Sequence, residues 1–284
     1  MENIRIVSSS EIKDKVRELF IKANHILPDN VKKALDNAAL KEESPLARSV
    51  IERLSENIDA AKQCDVPICQ DTGMAVLFVD IGKNLHIDGE DLNTAVNMGV
   101  REAYLEGKMR CSVVEDPFFN RKNTDDNTPA IIYTNFTDGD KIKITALPKG
   151  FGSENMSAVK MFTPSATRED IISFVVDTVR KAGSNPCPPI VVGIGMGGTF
   201  DYSCVLSKKA LARELDDVNP KREYAELEEE LLERINQLKI GPQGFGGSTT
   251  ALAVKIESYP THIAGLPVAV NICCHVARHM TAEI

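Results

Sequence analysis

The chain has 284 residues and carries 33 Lys and Arg against 41 Asp and Glu, which gives a formal net charge of −8. Its hydrophobic and charged fractions, 43% and 26%, are those of a globular protein and exclude disorder as the main state. Because the net charge is negative and no basic patch stands out, we expect no nucleic-acid partner. The N-terminus lacks the apolar core of a signal peptide, and the apolar stretch at residues 264–277 is too short to span a bilayer. The sequence therefore predicts a cytoplasmic protein without a membrane partner.

The N-terminal part of the chain, about residues 1–63, has the pattern of helices. Ser8 and Glu11 form a capping-box pair before one amphipathic segment, and Asp29 precedes a second. Ser44 stands before a third segment, whose apolar residues recur at helical spacing. We therefore expect this part to be mainly helical.

The middle of the chain changes to β structure. Residues 74–82 are an almost continuous apolar run, which is typical of a buried strand. Residues 130–136 and 141–147 flank an Asp-Gly dipeptide, and this pattern predicts an antiparallel hairpin. Helical spacing occurs at residues 88–106, and residues 110–129 form a long polar loop of the kind that often has a function.

In the second half of the chain, helices alternate with β segments. Thr167 caps one predicted helix, and two further helices are expected near residues 203–215 and 222–238. Residues 185–198 have the pattern of a proline turn, a short strand and a glycine-rich loop. Because no low-complexity linker divides the chain, we predict one interlocked α+β domain over residues 1–284, with mixed β-sheets surrounded by helices.

The seven cysteines are an odd number, and without a signal peptide we expect reduced thiols rather than disulfides. Cys187 lies between prolines that hold the backbone rigid, which favours a metal ligand or a nucleophile over a buried structural thiol, with a plain tight turn as the alternative. Cys69 lies in the loop PICQDTG, where an Asx turn with an incidental thiol is an equally good explanation.

Of the adjacent Cys273 and Cys274, one should be buried and the other available. We expect the remaining cysteines to be buried core residues: Cys64, Cys111 and Cys204.

Other sites are consistent with parts of the sequence. His275 and His279 are spaced to join a nearby cysteine in a zinc site, although the glutamate of a metalloprotease motif is missing. Residues 193–198 satisfy G-x-G-x-x-G, which leaves a nucleotide-dependent oxidoreductase as an alternative. The glycine-rich segments 149–155 and 244–249 are either simple turns or loops that present backbone N–H groups to a carboxylate.

Five segments together resemble the alpha chain of the iron–sulfur hydro-lyases, the family of class I fumarate hydratase and L(+)-tartrate dehydratase. They follow the family order over nearly the whole chain, and the combination is highly specific. The segments are PICQDTG (67–73), RCSVVEDPFFNRKNTDDNTP (110–129), LPKGFGSENMS (147–157), NPCPPIVVGIGMGG (185–198) and HIAGLPVAVNICC (262–274).

The resemblance implies a [4Fe–4S] cluster bound by three cysteines, which in this sequence are Cys69, Cys187 and Cys274. The choice of Cys274 over Cys273 depends on the twelve-residue interval from His262. Three thiolates on four irons leave one iron open, and this iron can act as a Lewis acid toward the substrate. No redox change of the cluster is required.

The resemblance also implies the residues that contact a dicarboxylate substrate. Arg110 would clamp one carboxylate with two hydrogen bonds, and His262 and the backbone N–H of Gly152 would make further contacts. Asp71 would lie near the reacting hydroxyl. The implied activity is the reversible hydration of fumarate to L-malate, with L(+)-tartrate dehydration as the alternative.

Members of this family complete the active site with a second, beta-type part that supplies the proton-transfer residue. The present chain stops ten residues after Cys274, so we expect it to work as one subunit of a heteromer with two alpha and two beta chains. Much of the contact that discriminates between fumarate and tartrate would lie on that beta subunit.

Overall fold

The computed structural model describes residues 4–284, which divide into two compact units. Of the described residues, unit 1 comprises 4–28, 58–150 and 278–284, and unit 2 comprises 29–57 and 151–277. About 40% of the chain is helix and 25% is strand, which confirms the predicted α+β class. None of the helices within the described residues is long and apolar enough to cross a membrane.

The helices and strands are numbered in chain order. The helices are α1 (Ser9–His25), α2 (Asp29–Lys41), α3 (Pro45–Cys64), α4 (Leu92–Glu106), α5 (Phe151–Glu154), α6 (Arg168–Ala182), α7 (Phe200–Ala210) and α8 (Arg222–Asn236). The strands are β1 (Arg5–Ser8), β2 (Met74–Gly82), β3 (Leu85–Asp88), β4 (Ile131–Thr137), β5 (Ile142–Lys149), β6 (Ala158–Phe162), β7 (Ile190–Gly198), β8 (Ala251–Thr261), β9 (Leu266–Cys273) and β10 (Met280–Glu283).

Local sequence signals place several helix ends as predicted. Ser8 caps α1 by accepting a hydrogen bond from the Glu11 backbone N–H at 3.1 Å. A complete capping box begins α6. Helix α4 begins later than predicted, because residues 85–88 pair with β1 as strand β3 and Asp91 provides the N-cap.

The four-stranded sheet of unit 1 has the order β10-β5-β2-β4. Strand β2 runs parallel to β4 and antiparallel to β5. Apolar side chains of α1 and α4, such as Phe20 and Val100, pack with those of the sheet, such as Leu77, in one buried core. The loop that carries PICQDTG, residues 67–73, leads directly into the interior strand β2.

The predicted hairpin of β4 and β5 is wrong, and residues 138–140 form a bend that connects two strands that are not paired with each other. Strand β2 is inserted between them, and the Asn84 N–H beyond its end donates to the Gly139 carbonyl of the bend at 2.9 Å. Strand β2 is buried along most of its length, whereas β4 is mostly exposed and is the outermost strand of the sheet. The more apolar strand takes the interior position because both of its faces leave water there.

The four-stranded sheet of unit 2 has the order β6-β9-β7-β8. Strand β7 is parallel to β8 and antiparallel to β9, so it is paired on both sides. One face of the sheet packs on α6 and α8 through apolar residues such as Val175 and Leu231. Helix α7 lies against the other face, where β7 carries its glycines.

The glycine-rich segment predicted as a loop is part of strand β7, so that prediction is wrong. A Cβ added at Gly193 would lie 2.2 Å from the Ser207 carbonyl oxygen, and one at Gly195 would lie 2.0 Å from that of Ser203. Both carbonyls belong to α7, so the glycines allow this helix to pack directly on the strand. Helix α7 also begins and ends earlier than predicted.

Candidate functional site

The loop that carries Cys69 is ordered by backbone and side-chain hydrogen bonds within unit 1. The Ile68 N–H donates to the Asn24 carbonyl at 3.0 Å, which ties the loop to the end of α1. The Asp71 side chain accepts from the Gly73 N–H at 3.1 Å, so the predicted Asx turn is present. In addition, the Cys69 sulfur accepts from the Asp71 N–H at 3.4 Å. Such N–H···S contacts are among the features that tune the sulfur ligands of iron.

The same loop is fastened to the segment that begins with Arg110. The Thr72 hydroxyl donates to the Arg110 carbonyl at 2.8 Å. The Tyr104 hydroxyl lies 2.8 Å from the Thr72 carbonyl and 2.9 Å from that of Gly73, and the Asn127 amide donates to the latter at 3.1 Å. Tyr104 is fully buried, and burial raises the pKa of its hydroxyl, so it remains a neutral donor. The backbone thus places the exposed Arg110 beside the cysteine loop.

Cys187 lies in a tight proline turn at the start of β7. Its backbone has φ 54°, in the left-handed region, and its N–H donates to the Ser184 carbonyl at 3.0 Å. The next carbonyl, of Pro188, accepts from both the backbone N–H and the side-chain amide of Gln243, at 2.7 and 2.8 Å. The Cys187 side chain itself is exposed. The turn therefore presents this thiol on a fixed backbone, as the flanking prolines predict.

Cys274 lies at the same edge of the unit 2 sheet as Cys187. Strands β7 and β9 are antiparallel with Val191 opposite Cys273, so the residues before β7 meet those after β9. The His275 N–H donates to the Cys187 carbonyl at 3.4 Å, and His275 Nδ1 lies 3.0 Å from the same oxygen. Cys273 is 5% exposed and Cys274 is half-buried, which confirms that one member of the pair is core and the other available.

The structure brings Gly152 to this edge, but not His262. Gly152 lies in the short helix α5, and a Cβ on it would lie 3.8 Å from the carbonyl oxygen of Asn185, close to the Cys187 turn. His262 follows β8, whose end lies beside the end of β7. Strand β7 has nine residues, so His262 is roughly 25 Å from the cysteine edge. Within one copy of unit 2, His262 and Cys274 therefore lie at opposite edges of the sheet.

Cys111 and Cys204 are half-buried, like Cys69 and Cys274, so their prediction as fully buried core residues is wrong. Their partial burial raises the pKa of both thiols. Cys64 is exposed, so its prediction as a core residue is wrong. It is the last residue of α3, beyond the stripe of apolar residues that faces the interior.

The glycine-rich segment 244–249 does bind a carboxylate, and this carboxylate belongs to the protein. The Glu42 side chain accepts from the backbone N–H groups of Ser248 and Thr249 at 2.9 and 3.1 Å, and from that of Ser44 at 3.2 Å. Burial alone would raise the pKa of Glu42, but these hydrogen bonds outweigh burial and hold the pKa below its usual value. The donors of this segment are thus used inside unit 2.

The geometry does not support the other two alternatives drawn from the sequence. Residues 193–196 are paired on both sides within the sheet, so their backbone N–H groups do not form a cradle for a nucleotide phosphate. Within residues 4–284, no three or more His, Cys, Asp or Glu side chains are grouped so that they could hold a metal ion. In a [4Fe–4S] cluster each thiolate binds a different iron, so this result concerns sites for single ions.

Several residues that support the cysteine-bearing segments carry no clear sequence signal. Gln243 and His275 hold the Cys187 turn through backbone carbonyls, and such contacts leave no pattern in a single sequence. Tyr104 has the helical spacing of an ordinary core residue. Arg278 is buried and donates to the Asp71 carbonyl, although the sequence around it predicts no particular contact.

Comparison with known proteins assigns the chain to a family. Residues 13–283 match the family model described as Fumarate hydratase (Fumerase). The chain belongs to this family. A protein of Methanocaldococcus jannaschii named "Putative L(+)-tartrate dehydratase subunit alpha" is 42% identical over 280 residues, which cover 96% of this chain and 98% of that protein. An Escherichia coli protein named "L(+)-tartrate dehydratase subunit alpha" is 32% identical over 260 residues, which cover 91% of this chain and 86% of that protein.

Membership of the fumarate hydratase family indicates a hydro-lyase, an enzyme that adds water to a double bond or removes it. Members of the family are generally iron–sulfur enzymes. The names of the two relatives include the words "subunit alpha", which implies a partner subunit.

Proposed function

We propose that this chain is the alpha subunit of an iron–sulfur hydro-lyase that interconverts fumarate and L-malate. One observation carries the proposal: in a chain of this family, the accessible thiols of Cys187 and Cys274 lie at one edge of a sheet and are joined through His275. These are two of the three cysteines that the family resemblance selects. The third, Cys69, lies in unit 1 on an ordered loop.

The chemistry of the donor set fits a [4Fe–4S] cluster bound by Cys69, Cys187 and Cys274. All three thiols are at least partly accessible, and Cys69 and Cys187 lie on loops ordered by backbone hydrogen bonds. Cysteine thiolates are the usual ligands of such clusters, and three of them leave one iron without a protein ligand. When bound, the cluster supplies a Lewis-acidic iron for the hydroxyl and the adjacent carboxylate of the substrate.

The residues of this chain would bind and orient the dicarboxylate. We assign Arg110 to one substrate carboxylate, because an exposed guanidinium can donate two parallel hydrogen bonds to it. We assign the Gly152 backbone N–H to a second contact with the dicarboxylate substrate. Asp71 would accept a hydrogen bond from the hydroxyl that is added or lost, and thus hold its proton. His262 remains a proposed substrate contact, and its distance from Cys274 means that it would act from another copy of the chain.

L(+)-Tartrate is the second candidate substrate. The M. jannaschii relative, which is 42% identical over 96% of this chain, is named as a tartrate dehydratase subunit. Tartrate shares the two carboxylates and the C2 hydroxyl of malate, so the same side chains could bind both. The additional C3 hydroxyl of tartrate would have to be recognised by other residues.

The partner would be a beta subunit in an assembly of two alpha and two beta chains. Anti addition of water needs a proton delivered to the face of the double bond opposite the hydroxyl, and none of the residues assigned above is proposed to deliver it. General acid–base assistance is typically worth about 10²–10⁴-fold in rate, so we expect little turnover by this chain alone. A reducing cytoplasm would suit the three ligand thiols.

The test is anaerobic co-expression with the beta-type subunit, followed by assays on fumarate, L-malate and L(+)-tartrate. We expect a brown protein with iron and sulfide in the ratio of a [4Fe–4S] cluster. Turnover should require both subunits at matched iron content. Equal turnover by the isolated chain would refute the two-subunit proposal, and a colourless protein that binds NAD tightly would refute the hydro-lyase cluster.

A further inference from the structure

Arg278 is a buried arginine that uses only part of its guanidinium. Its exposed fraction is 3%, and its Nη2 donates to the backbone carbonyl of Asp71. Its Nε and Nη1 atoms are also buried and have no hydrogen-bond partner among the described residues. No Asp or Glu of residues 4–284 forms an ion pair with it.

This arrangement is unusual because a buried charge normally has a counter-charge and satisfied N–H groups. Arg213 of unit 2 provides a comparison within the same chain. Its guanidinium forms hydrogen bonds with the carboxylates of Asp217 and Glu228 and with the carbonyl of Ile256. The Nη2 atom of Arg213 also has no hydrogen-bond partner, but its charge is balanced by carboxylates, whereas no carboxylate of residues 4–284 pairs with Arg278.

Arg278 supports the loop that carries Cys69, residues 67–73, through a backbone carbonyl. Three consecutive carbonyls of this loop are bound by buried side chains: that of Asp71 accepts from Arg278, that of Gly73 accepts from Asn127, and those of Thr72 and Gly73 share the single hydroxyl proton of Tyr104. Arg278 is the only positively charged donor of the three. Burial raises the pKa of the Tyr104 hydroxyl, and the charge of Arg278 acts against that effect.

We propose that Arg278 is a positioning residue for the cluster site. By binding the Asp71 carbonyl it fixes the backbone that carries the Cys69 sulfur and the Asp71 carboxylate. Its buried charge also offsets negative charge that accumulates at this loop when thiolates and a dicarboxylate are bound, because such charge is weakly screened inside a protein. The second part of this role rests on the proposed function, whereas the first does not.

The first measurement tests whether Arg278 positions the loop in the chain without a cluster. Hydrogen exchange of residues 68–73 is followed in the full chain and in its Arg278→Met and Arg213→Met variants. We expect exchange to be at least about 10-fold faster in Arg278→Met, because local opening becomes easier, and to be close to wild type in Arg213→Met. Equal exchange in wild type and Arg278→Met would overturn the positioning role.

The second measurement tests the charge in the assembled, cluster-loaded complex. Iron release to a chelator is compared in wild type, Arg278→Met, Arg278→Lys and Arg213→Met. We expect release to be about 10-fold to 100-fold faster in Arg278→Met, the range typical when a residue that supports metal ligands is lost. Arg278→Lys should restore most of the retention, since it keeps the charge. Release from Arg278→Met no faster than from Arg213→Met would overturn the charge role.

The two measurements separate failure of this inference from failure of the proposed function. A wild-type complex that takes up no cluster would refute the iron–sulfur function and, with it, the charge role of Arg278. The exchange measurement would still decide the positioning role. A loaded wild-type complex with an unaffected Arg278→Met variant would refute only the role of Arg278.

Discussion

Thr72 donates its side-chain hydroxyl to the backbone carbonyl of Arg110 across 2.8 Å. This bond connects the loop that carries Cys69 to the arginine assigned to the substrate carboxylate. Both segments are irregular in backbone, so side-chain hydrogen bonds rather than a β ladder set their relative position. Thr72 itself is buried, which protects the bond from competition with water.

Replacement of Thr72 by valine should weaken substrate binding through Arg110. Valine keeps the shape of threonine but cannot donate, so we expect a loss of about 1 kcal/mol, equivalent to a rise of about fivefold in the KM for the dicarboxylate. Iron content should stay at the wild-type level. Steady-state kinetics of the loaded complex measures the effect, and Thr72→Ser, which keeps the hydroxyl, is the control. An unchanged KM in Thr72→Val would show that this bond does not orient Arg110.

Serine substitutions should separate the cluster ligands from the other cysteines. Cys69→Ser, Cys187→Ser and Cys274→Ser should each abolish stable cluster incorporation, because an alcohol is a poor substitute for a thiolate on iron. Iron and sulfide analysis after anaerobic reconstitution measures this. The matched controls are Cys64→Ser, at an exposed position, and Cys204→Ser and Cys273→Ser, which should cost only packing energy.

Two outcomes of the cysteine series would change the assignment. Full cluster content in Cys187→Ser would remove this residue from the ligand set. Loss of the cluster in Cys273→Ser with retention in Cys274→Ser would move the third ligand by one residue, despite the burial of Cys273.

Arg110→Lys should retain the cluster and lose substrate affinity. An ammonium group is a point charge and cannot reproduce the planar pair of donors that a guanidinium offers to a carboxylate. Loss of one charge-assisted hydrogen bond, about 1.5–3 kcal/mol, corresponds to a KM raised roughly 10-fold to 100-fold. Kinetics and iron analysis on the same sample measure both effects. The matched control is Arg121→Lys, on the same polar segment, which should leave the KM unchanged.

Glu42→Gln should destabilise unit 2 in a pH-dependent way. The pKa of Glu42 is lowered in the folded state, so its carboxylate stabilises the fold above the unfolded pKa, and this contribution is lost as the pH falls through the folded pKa. Glutamine places an N–H₂ group where backbone N–H donors point. We expect a loss of about 1–3 kcal/mol in the free energy of unfolding at pH 7.

The difference between Glu42→Gln and wild type should shrink below the usual Glu pKa, about pH 4.3. Denaturant unfolding at several pH values measures it. Glu43→Gln, at the exposed neighbouring position, should show neither effect. A Glu42→Gln deficit that is constant with pH would contradict the assignment of the stabilising charge to this carboxylate.

Gly195→Ala should be strongly destabilising. The added Cβ would lie 2.0 Å from a backbone oxygen of α7, which cannot move without the helix. Overpacking in a core typically costs 1–3 kcal/mol, and we expect at least about 3 kcal/mol here because backbone must shift. Gly265→Ala, where no atom lies within 4 Å of the added Cβ, should unfold like the wild type. Thermal unfolding of the two variants compares them directly, and similar midpoints would refute close packing of α7 on β7.

The sequence predicts those features that depend on neighbouring residues. Ser8 caps α1, and the proline turn presents Cys187 as expected, because both effects act over a few residues. The predicted pairing of β4 with β5 is wrong because the apolar character of β2, which is distant in sequence, decides which strand is interior. The prediction of a glycine-rich loop in place of β7 is wrong for a similar reason, since the glycines of β7 pack against the backbone of α7, which lies outside the segment that carries the glycine pattern.

At the candidate site, too, the sequence predicts local features but not the contacts between distant residues. The three ligand candidates could be named from motifs, whereas the contacts that order them could not. Gln243 and Arg278 act on backbone carbonyls of the cysteine-bearing segments. A carbonyl is present at every residue, so no residue type marks where such a contact will form. His262 illustrates the opposite case, because a motif selects it but only the strand direction shows which edge of the sheet it occupies.

The three ligand candidates adjoin interior strands of their sheets. Cys69 and Cys187 shortly precede β2 and β7, and Cys274 directly follows β9, each of which is paired on both sides. A zinc finger has no stable fold until its metal binds, because metal coordination supplies its folding energy. Here the strands that adjoin the three cysteines are held by backbone ladders and by two apolar cores, all built from residues of the chain itself. We therefore expect folding to precede cluster insertion, so that a chain whose cluster is destroyed by oxygen remains a folded acceptor for a new one.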